Sequence, residues 1–222
     1  MEPTTEPQHF LLLDRDHVED AIIVNLAKRG DITPLYSISH NSKMTKMEIR
    51  RIKCDAISTE HRPIGTVKLR TIPPRIDLTV RGVAFKMARK HPLSSTLGFR
   101  FLGAGEMCWE QNKKGRGMRL VDFNGKIQAH FRPRMHVASH VNTASAAGGG
   151  GGGGEDEKSG RSSPGHKPGW GPGFELHATK LADLDLDLIV TTGLAAAEYR
   201  RQLDDDWDQA AGEELDKARG GS

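Results

Sequence analysis

At 222 residues the chain has room for one sizeable domain, and its two cysteines, Cys54 and Cys108, exclude a disulfide-built scaffold or a paired-cysteine zinc module. Both are read as plain thiols of a reducing cytosolic or nuclear compartment. The net charge of +3 conceals an asymmetry: residues 1–147 carry 24 Lys and Arg against 14 Asp and Glu, whereas 148–222 carry 8 against 15. A basic body of this kind can meet phosphates, membrane surfaces or acidic partners.

Residues 1–8 read as a flexible N-terminus, and the start MEPTTEPQHFLLLDRD has neither the basic n-region nor the long apolar run of a secretory signal. From there to residue 141 the chain breaks into short β-type segments: HFLLLD, AIIV, PLYSIS, MEIRRIKC, IGTVKLR, RIDLTV, VAFKMA, LGFRFL, EMCWEQ, GMRLVDF, KIQAHF and MHVASHV. Several alternate with period two. In GTVKLR, Val67 and Leu69 face one side and Lys68 and Arg70 the other, and KIQAHF puts Ile127, Ala129 and Phe131 on one face. NKKGRG (112–117) and FNGK (123–126) supply the Gly and Asn of tight hairpin turns. About a dozen short strands at this spacing predict an all-β sandwich or barrel.

Residues 142–173 are rich in Gly, Ser and Pro with few apolar side chains, which predicts a disordered insertion. FELHATK (174–180) resumes the strand pattern. A single helix follows, over about 185–201. Asp183, Asp185 and Asp187 suit its N-terminus, and Arg200 and Arg201 its C-terminus. Its apolar residues Leu188, Ile189, Val190, Leu194 and Ala197 occupy nearly every face, with Gly193 among them, and a helix apolar all round is one buried all round. Gly193 suits a place where a barrel wall comes close. The uncharged run 188–197 is about half of the ~20 residues a membrane-spanning helix needs, so no transmembrane span is expected. Residues 204–222 read as an acidic flexible tail.

Strands followed by one closing hydrophobic helix resemble the layout of the tubby C-terminal-like superfamily, which includes LURP-one-related and phospholipid scramblase proteins. The segments are similar to those of a fungal family of uncharacterised domains within it. The residues that carry this are ITPLYSIS (32–39) with MEIRRI (47–52), GEMCWE (105–110) and DLDLIVTTGLAAAEYRR (185–201). The resemblance covers roughly residues 10–201 apart from the Gly-rich stretch. It implies a closed antiparallel barrel of about twelve strands around the final helix, and names no reaction.

No catalytic constellation emerges. There is no G-x-S-x-G elbow, and neither cysteine sits in a context that activates a thiolate. His136 and His140 would lie ~13 Å apart on an extended strand, too far for one ion, so they, His130 and His177 are read as surface or satisfied histidines, with no metal and no cofactor. The basic clusters remain: Lys86, Arg89 and Lys90 with His91 in FKMARKH, and Lys113, Lys114 and Arg116 with Arg119 in NKKGRGMR. On one face they would bind an anion through charge-assisted hydrogen bonds. The resemblance points the same way, since tubby-like relatives are associated with phosphoinositide headgroups. Aromatics make up 5% of residues and are not interleaved with the basic ones, so no nucleic-acid partner is expected. The sequence thus predicts a non-enzymatic, monomeric, cytoplasmic module at the surface of anionic membranes. The alternative is a protein-interaction module working through the Gly/Pro-rich stretch, which includes Trp170, and the acidic tail.

Overall fold

The computed structural model describes residues 9–16, 21–28, 31–52, 63–70, 74–92, 94–112, 117–136, 170–178 and 180–219, with side chains at 15, 16, 28, 31, 136, 170 and 205–219 outside the description. Twelve strands are formed: β1 (His9–Asp16), β2 (Ala21–Lys28), β3 (Asp31–His40), β4 (Lys46–Arg51), β5 (Gly65–Arg70), β6 (Arg75–Val80), β7 (Val83–Arg89), β8 (Leu97–Phe101), β9 (Gly105–Gln111), β10 (Met118–Asp122), β11 (Ile127–His136) and β12 (Trp170–Leu176). Each pairs antiparallel with its sequence neighbours, and β12 returns to β1 with Leu11 opposite Phe174, closing the barrel. Closure removes every exposed strand edge.

The alternation read from sequence holds along the walls. In β5, Val67 and Leu69 point inward while Lys68 and Arg70 point out. The Asp122–Lys126 turn closes through a backbone bond of 3.0 Å, with Gly125 at φ 79° and the Asp122 carboxylate accepting from the N–H groups of Asn124 and Lys126. The expected segment KIQAHF and the first two residues of MHVASHV, Met135 and His136, share one strand, β11, and 137–141 lie outside the described residues. The register slips between Arg132 and Met135, at Pro133, which has no N–H to give the ladder. The expected insertion 142–173 is too long at its C-terminal end, because 170–173 belong to β12. Gly173 is there for contact rather than for disorder: a Cβ on it would strike the Leu11 carbonyl oxygen and come 3.0 Å from the Met135 sulfur. The remainder of that segment, and Cys54, lie outside the described residues.

A wall of twelve strands encloses more space than its own side chains fill. The occupant is the helix α1 (Leu186–Arg219). Leu188, Ile189, Val190, Leu194, Ala195, Ala196 and Tyr199 are buried against Tyr36, Ile38, Leu78, Trp109, Leu120 and Phe174 from around the wall, with Ala197 partly buried beside them. The helix does not stop at the expected 201. Arg200 and Arg201 complement a helix dipole without terminating it, and neither Pro nor Gly follows until Gly212.

Gly193 is where helix and wall come nearest. A Cβ there would overlap the Phe174 ring and lie 3.0 Å from Trp109 Cζ2. Gly193→Ala gains up to about 1 kcal/mol of helix propensity yet should destabilise the protein by a net ~1–3 kcal/mol through overpacking, read as a lower urea midpoint. One residue earlier, Thr192 Oγ1 accepts from Trp109 Nε1 at 3.0 Å and donates to the Leu188 carbonyl at 2.7 Å, so the indole is satisfied inside the core.

Candidate functional site

Because neighbouring strands are antiparallel, successive turns alternate between the two barrel ends. The β6–β7, β8–β9 and β10–β11 turns share the end where α1 begins. The β7–β8 and β9–β10 turns share the end where it leaves. The two ends differ in chemistry.

At the entry end the three aspartates predicted to start the helix divide the work. Asp185 Oδ1 accepts the Leu188 N–H at 3.1 Å, the geometry of an N-cap. Its two carboxylate oxygens also take Arg81 Nη1 and Nη2 at 2.7 and 2.5 Å. Asp187, only 3% exposed, receives Tyr36 Oη at 2.9 Å, Arg51 Nη2 at 2.9 Å and Arg81 Nη1 at 3.3 Å. Asp183 lies in a 3-10 turn (Leu181–Asp183) just before them. Arg81 has a left-handed φ of 48°, which the two-residue turn Arg81–Gly82 between paired Val80 and Val83 requires. An arginine there trades backbone comfort for reach to the helix. Burial raises the Tyr36 hydroxyl pKa, and the adjacent Asp187 charge adds to this.

Burial alone would raise the Asp185 carboxyl, but bonds from Arg81 and the Leu188 N–H outweigh it and hold the group below the usual carboxylate range. The unfolded chain therefore binds this proton more tightly. The resulting stability is fully present above the ordinary carboxylate pKa of ~4 and is lost as pH falls through the lower folded value. Arg81→Gln should destabilise at pH 6, and by less as the pH falls below 3, measured by urea unfolding.

A cleft of about 400 Å³ opens here, lined by Arg81, Asp122, Asp183 and Asp185 among others, so its charge is weighted toward carboxylates. The exposed large apolar residues among those described, Ile32, Val83, Leu102 and Phe123, also sit beside turns at this end. An acidic mouth of this kind is unsuited to an anion.

The exit end is the opposite. Arg89 ends β7 with its guanidinium 5.9 Å from the centre of the Tyr199 ring, and its Nη1 donates to the Pro92 carbonyl at 3.0 Å. Arg200 follows Tyr199 on the helix. Together with Ser94, Ser95, Leu203 and Asp204 they line a crevice of about 210 Å³, in which two guanidiniums stand against one carboxylate. That is smaller than the ~300–1,000 Å³ of ordinary small-molecule clefts, and it suits a single compact charged group.

The predicted basic residues do not all join it. Lys86 points out from the barrel wall opposite Asp77 in the β6–β7 register, while Arg89, three residues on, turns to the barrel mouth. Strand alternation separates them. Lys90 is exposed on the outer wall, its stem packed over Gly98. Lys113, Lys114 and Arg116 lie outside the described residues; the Asn112 N–H bonds the Gly117 carbonyl at 2.9 Å, where β9 ends and β10 begins at the same barrel end as Arg89. Arg119 is engaged by Glu110 at 2.9 Å. Arg200 escapes a search for linear basic clusters, since only the helix's exit point brings it to Arg89.

Of the histidines, the structure unites His130 and His177 across β11 and β12, with Glu175 opposite His130. His140 and the side chain of His136 lie outside the described residues. Cys108 is buried on the outer wall, and burial raises its pKa, as does Glu110 nearby, whereas Lys90 acts in the other direction. It is not an activated thiolate.

The fold and site define a closed antiparallel barrel holding its own C-terminal helix, with a small basic crevice where that helix leaves. No protein-family model matches the chain, and neither a curated protein nor a solved structure does. Among the described residues no helix is long and apolar enough to cross a membrane.

Proposed function

We propose that this chain is a non-enzymatic module of the tubby C-terminal-like kind, similar to its fungal uncharacterised members, that binds anionic phospholipid headgroups of the phosphoinositide type. It acts as a monomer at a cytoplasmic membrane surface and needs no cofactor. The observation that carries this reading is the convergence of Arg89 and Arg200, from different elements, on one crevice with two serines. Two guanidiniums offer planar, permanently charged forks to phosphate oxygens, and serine hydroxyls can add further donors. The stacking of Arg89 on Tyr199 holds one fork in place before a ligand arrives.

Lys90 would flank the crevice, and Lys113, Lys114 and Arg116, which lie in the sequence between β9 and β10, would add to the basic charge offered to the headgroup. The acidic, apolar-tipped entry end would then face away from the bilayer. The support for kinship is architectural: twelve antiparallel strands closed around a hydrophobic C-terminal helix.

Calorimetric titration with soluble inositol trisphosphate tests the crevice apart from any membrane. Wild-type protein should bind it saturably and more weakly as salt rises. Arg200→Glu should lose at least about tenfold in affinity, because each charge-assisted bond is worth ~1.5–3 kcal/mol. Equal binding by the variant, or none by wild type, overturns the reading.

A further inference from the structure

We propose that His130, Glu175 and His177 form a binding site for a divalent transition metal of the zinc type on the outer wall of the barrel, bridging β11 and β12. The strands set it up. Ala129 and Phe131 pair with Leu176 and Phe174 and face the core, so the intervening pair, His130 and Glu175, faces outward together. His177, next after Leu176, returns to that same outer side, held by its N–H to the Gln128 carbonyl at 2.9 Å.

The donor atoms already stand at ligand spacing. His177 Nε2 lies 3.1 Å from His130 Nδ1, which lies 3.6 Å from Glu175 Oε2, and one donor atom from each residue falls within 4.8 Å of the others. Four ligands placed tetrahedrally at ~2.0–2.1 Å from zinc are separated from one another by about 3.3 Å. The two shorter distances bracket that value. Two imidazoles and one carboxylate are a donor set for zinc, cobalt, nickel or copper rather than for magnesium or calcium. Three protein ligands leave a fourth position for water or another small ligand.

Burial and surroundings agree. The His130 and Glu175 side chains are 18% and 15% exposed, so an ion there would be shielded yet reachable from solvent. Arg132 Nε bonds the other carboxylate oxygen, Glu175 Oε1, at 2.5 Å, which fixes the carboxylate and leaves Oε2 directed at the imidazoles. A bound ion would join the last strand of the barrel to β11 independently of the ladder between them. This site is distant in topology from the Arg89–Arg200 crevice, and the inference does not depend on the function proposed above.

The test is a titration of the full-length, tag-free, metal-stripped chain with Co(II), followed by visible absorption. The expected result is one equivalent bound with the intense d–d bands of tetrahedral coordination, bleached by one equivalent of Zn(II). In His177→Cys the bands should persist and gain a thiolate charge-transfer band in the near ultraviolet. In the double variant His130→Ala/His177→Ala they should vanish. If the double variant fails to fold, His177→Cys decides the matter alone, since the charge-transfer band arises only if residue 177 ligates the ion. Absence of the tetrahedral bands in wild type, their survival in a folded double variant, or a His177→Cys protein without the new band overturns the site.

Discussion

Leu188→Asp should leave no cooperatively folded protein at 25 °C. Leu188 is 1% exposed in the first turns of α1, packed between helix and wall at the floor of the entry cleft. An uncompensated carboxylate in such a place costs several kcal/mol even after relaxation or protonation, and the lost leucine packing costs ~2–5 kcal/mol more. A domain stable by ~5–15 kcal/mol cannot absorb the sum with a comfortable margin. Ile189→Asp, at 2% exposure on an adjoining face, should do the same. A helix lying on the outside of the barrel would tolerate one of the two substitutions. Circular dichroism melts should show neither variant keeping the wild-type transition.

Asp187→Ala should be the most damaging single loss of a polar group, at about 2–4 kcal/mol. The carboxylate is 4% exposed, but Arg51 and Arg81 keep 58% and 46% of their side-chain surface in water. Both guanidiniums can recover hydration, so their share of the cost is discounted. Tyr36 cannot recover it: the residue is 1% exposed and its hydroxyl donates to Asp187. Asp187→Asn keeps an acceptor for that hydroxyl and should cost clearly less. The ordering of urea midpoints, wild type above Asn above Ala, distinguishes a buried hydrogen bond from a charge effect, which would place the two variants together.

The walls and the helix were legible because burial writes itself into local periodicity. Val67 and Leu69 against Lys68 and Arg70, and an apolar run covering every face from Leu188 to Tyr199, are patterns with few structural solutions. The role of Trp170–Gly173 was not legible. Glycines in a low-complexity context look the same whether they serve disorder or, like Gly173, let two backbones approach. The site residues divide on the same principle. Arg89 lay in a visible basic cluster, yet its neighbours in sequence, Lys86 and Lys90, go elsewhere because a strand sends alternate residues to opposite faces. Arg200, Glu175 and the pairing of His130 with His177 depend on contacts between elements distant in sequence, and no single-strand spacing encodes them.

The claim that an anionic headgroup is held at the helix's exit is tested most directly by sedimentation of purified protein with vesicles that differ only in headgroup, at low and physiological salt. The predicted result is recovery with phosphoinositide vesicles over neutral ones, weaker as salt rises, and lost when Arg200 is replaced by Glu. Equal recovery with neutral and anionic vesicles, or recovery of Arg200→Glu at the wild-type level, would contradict it.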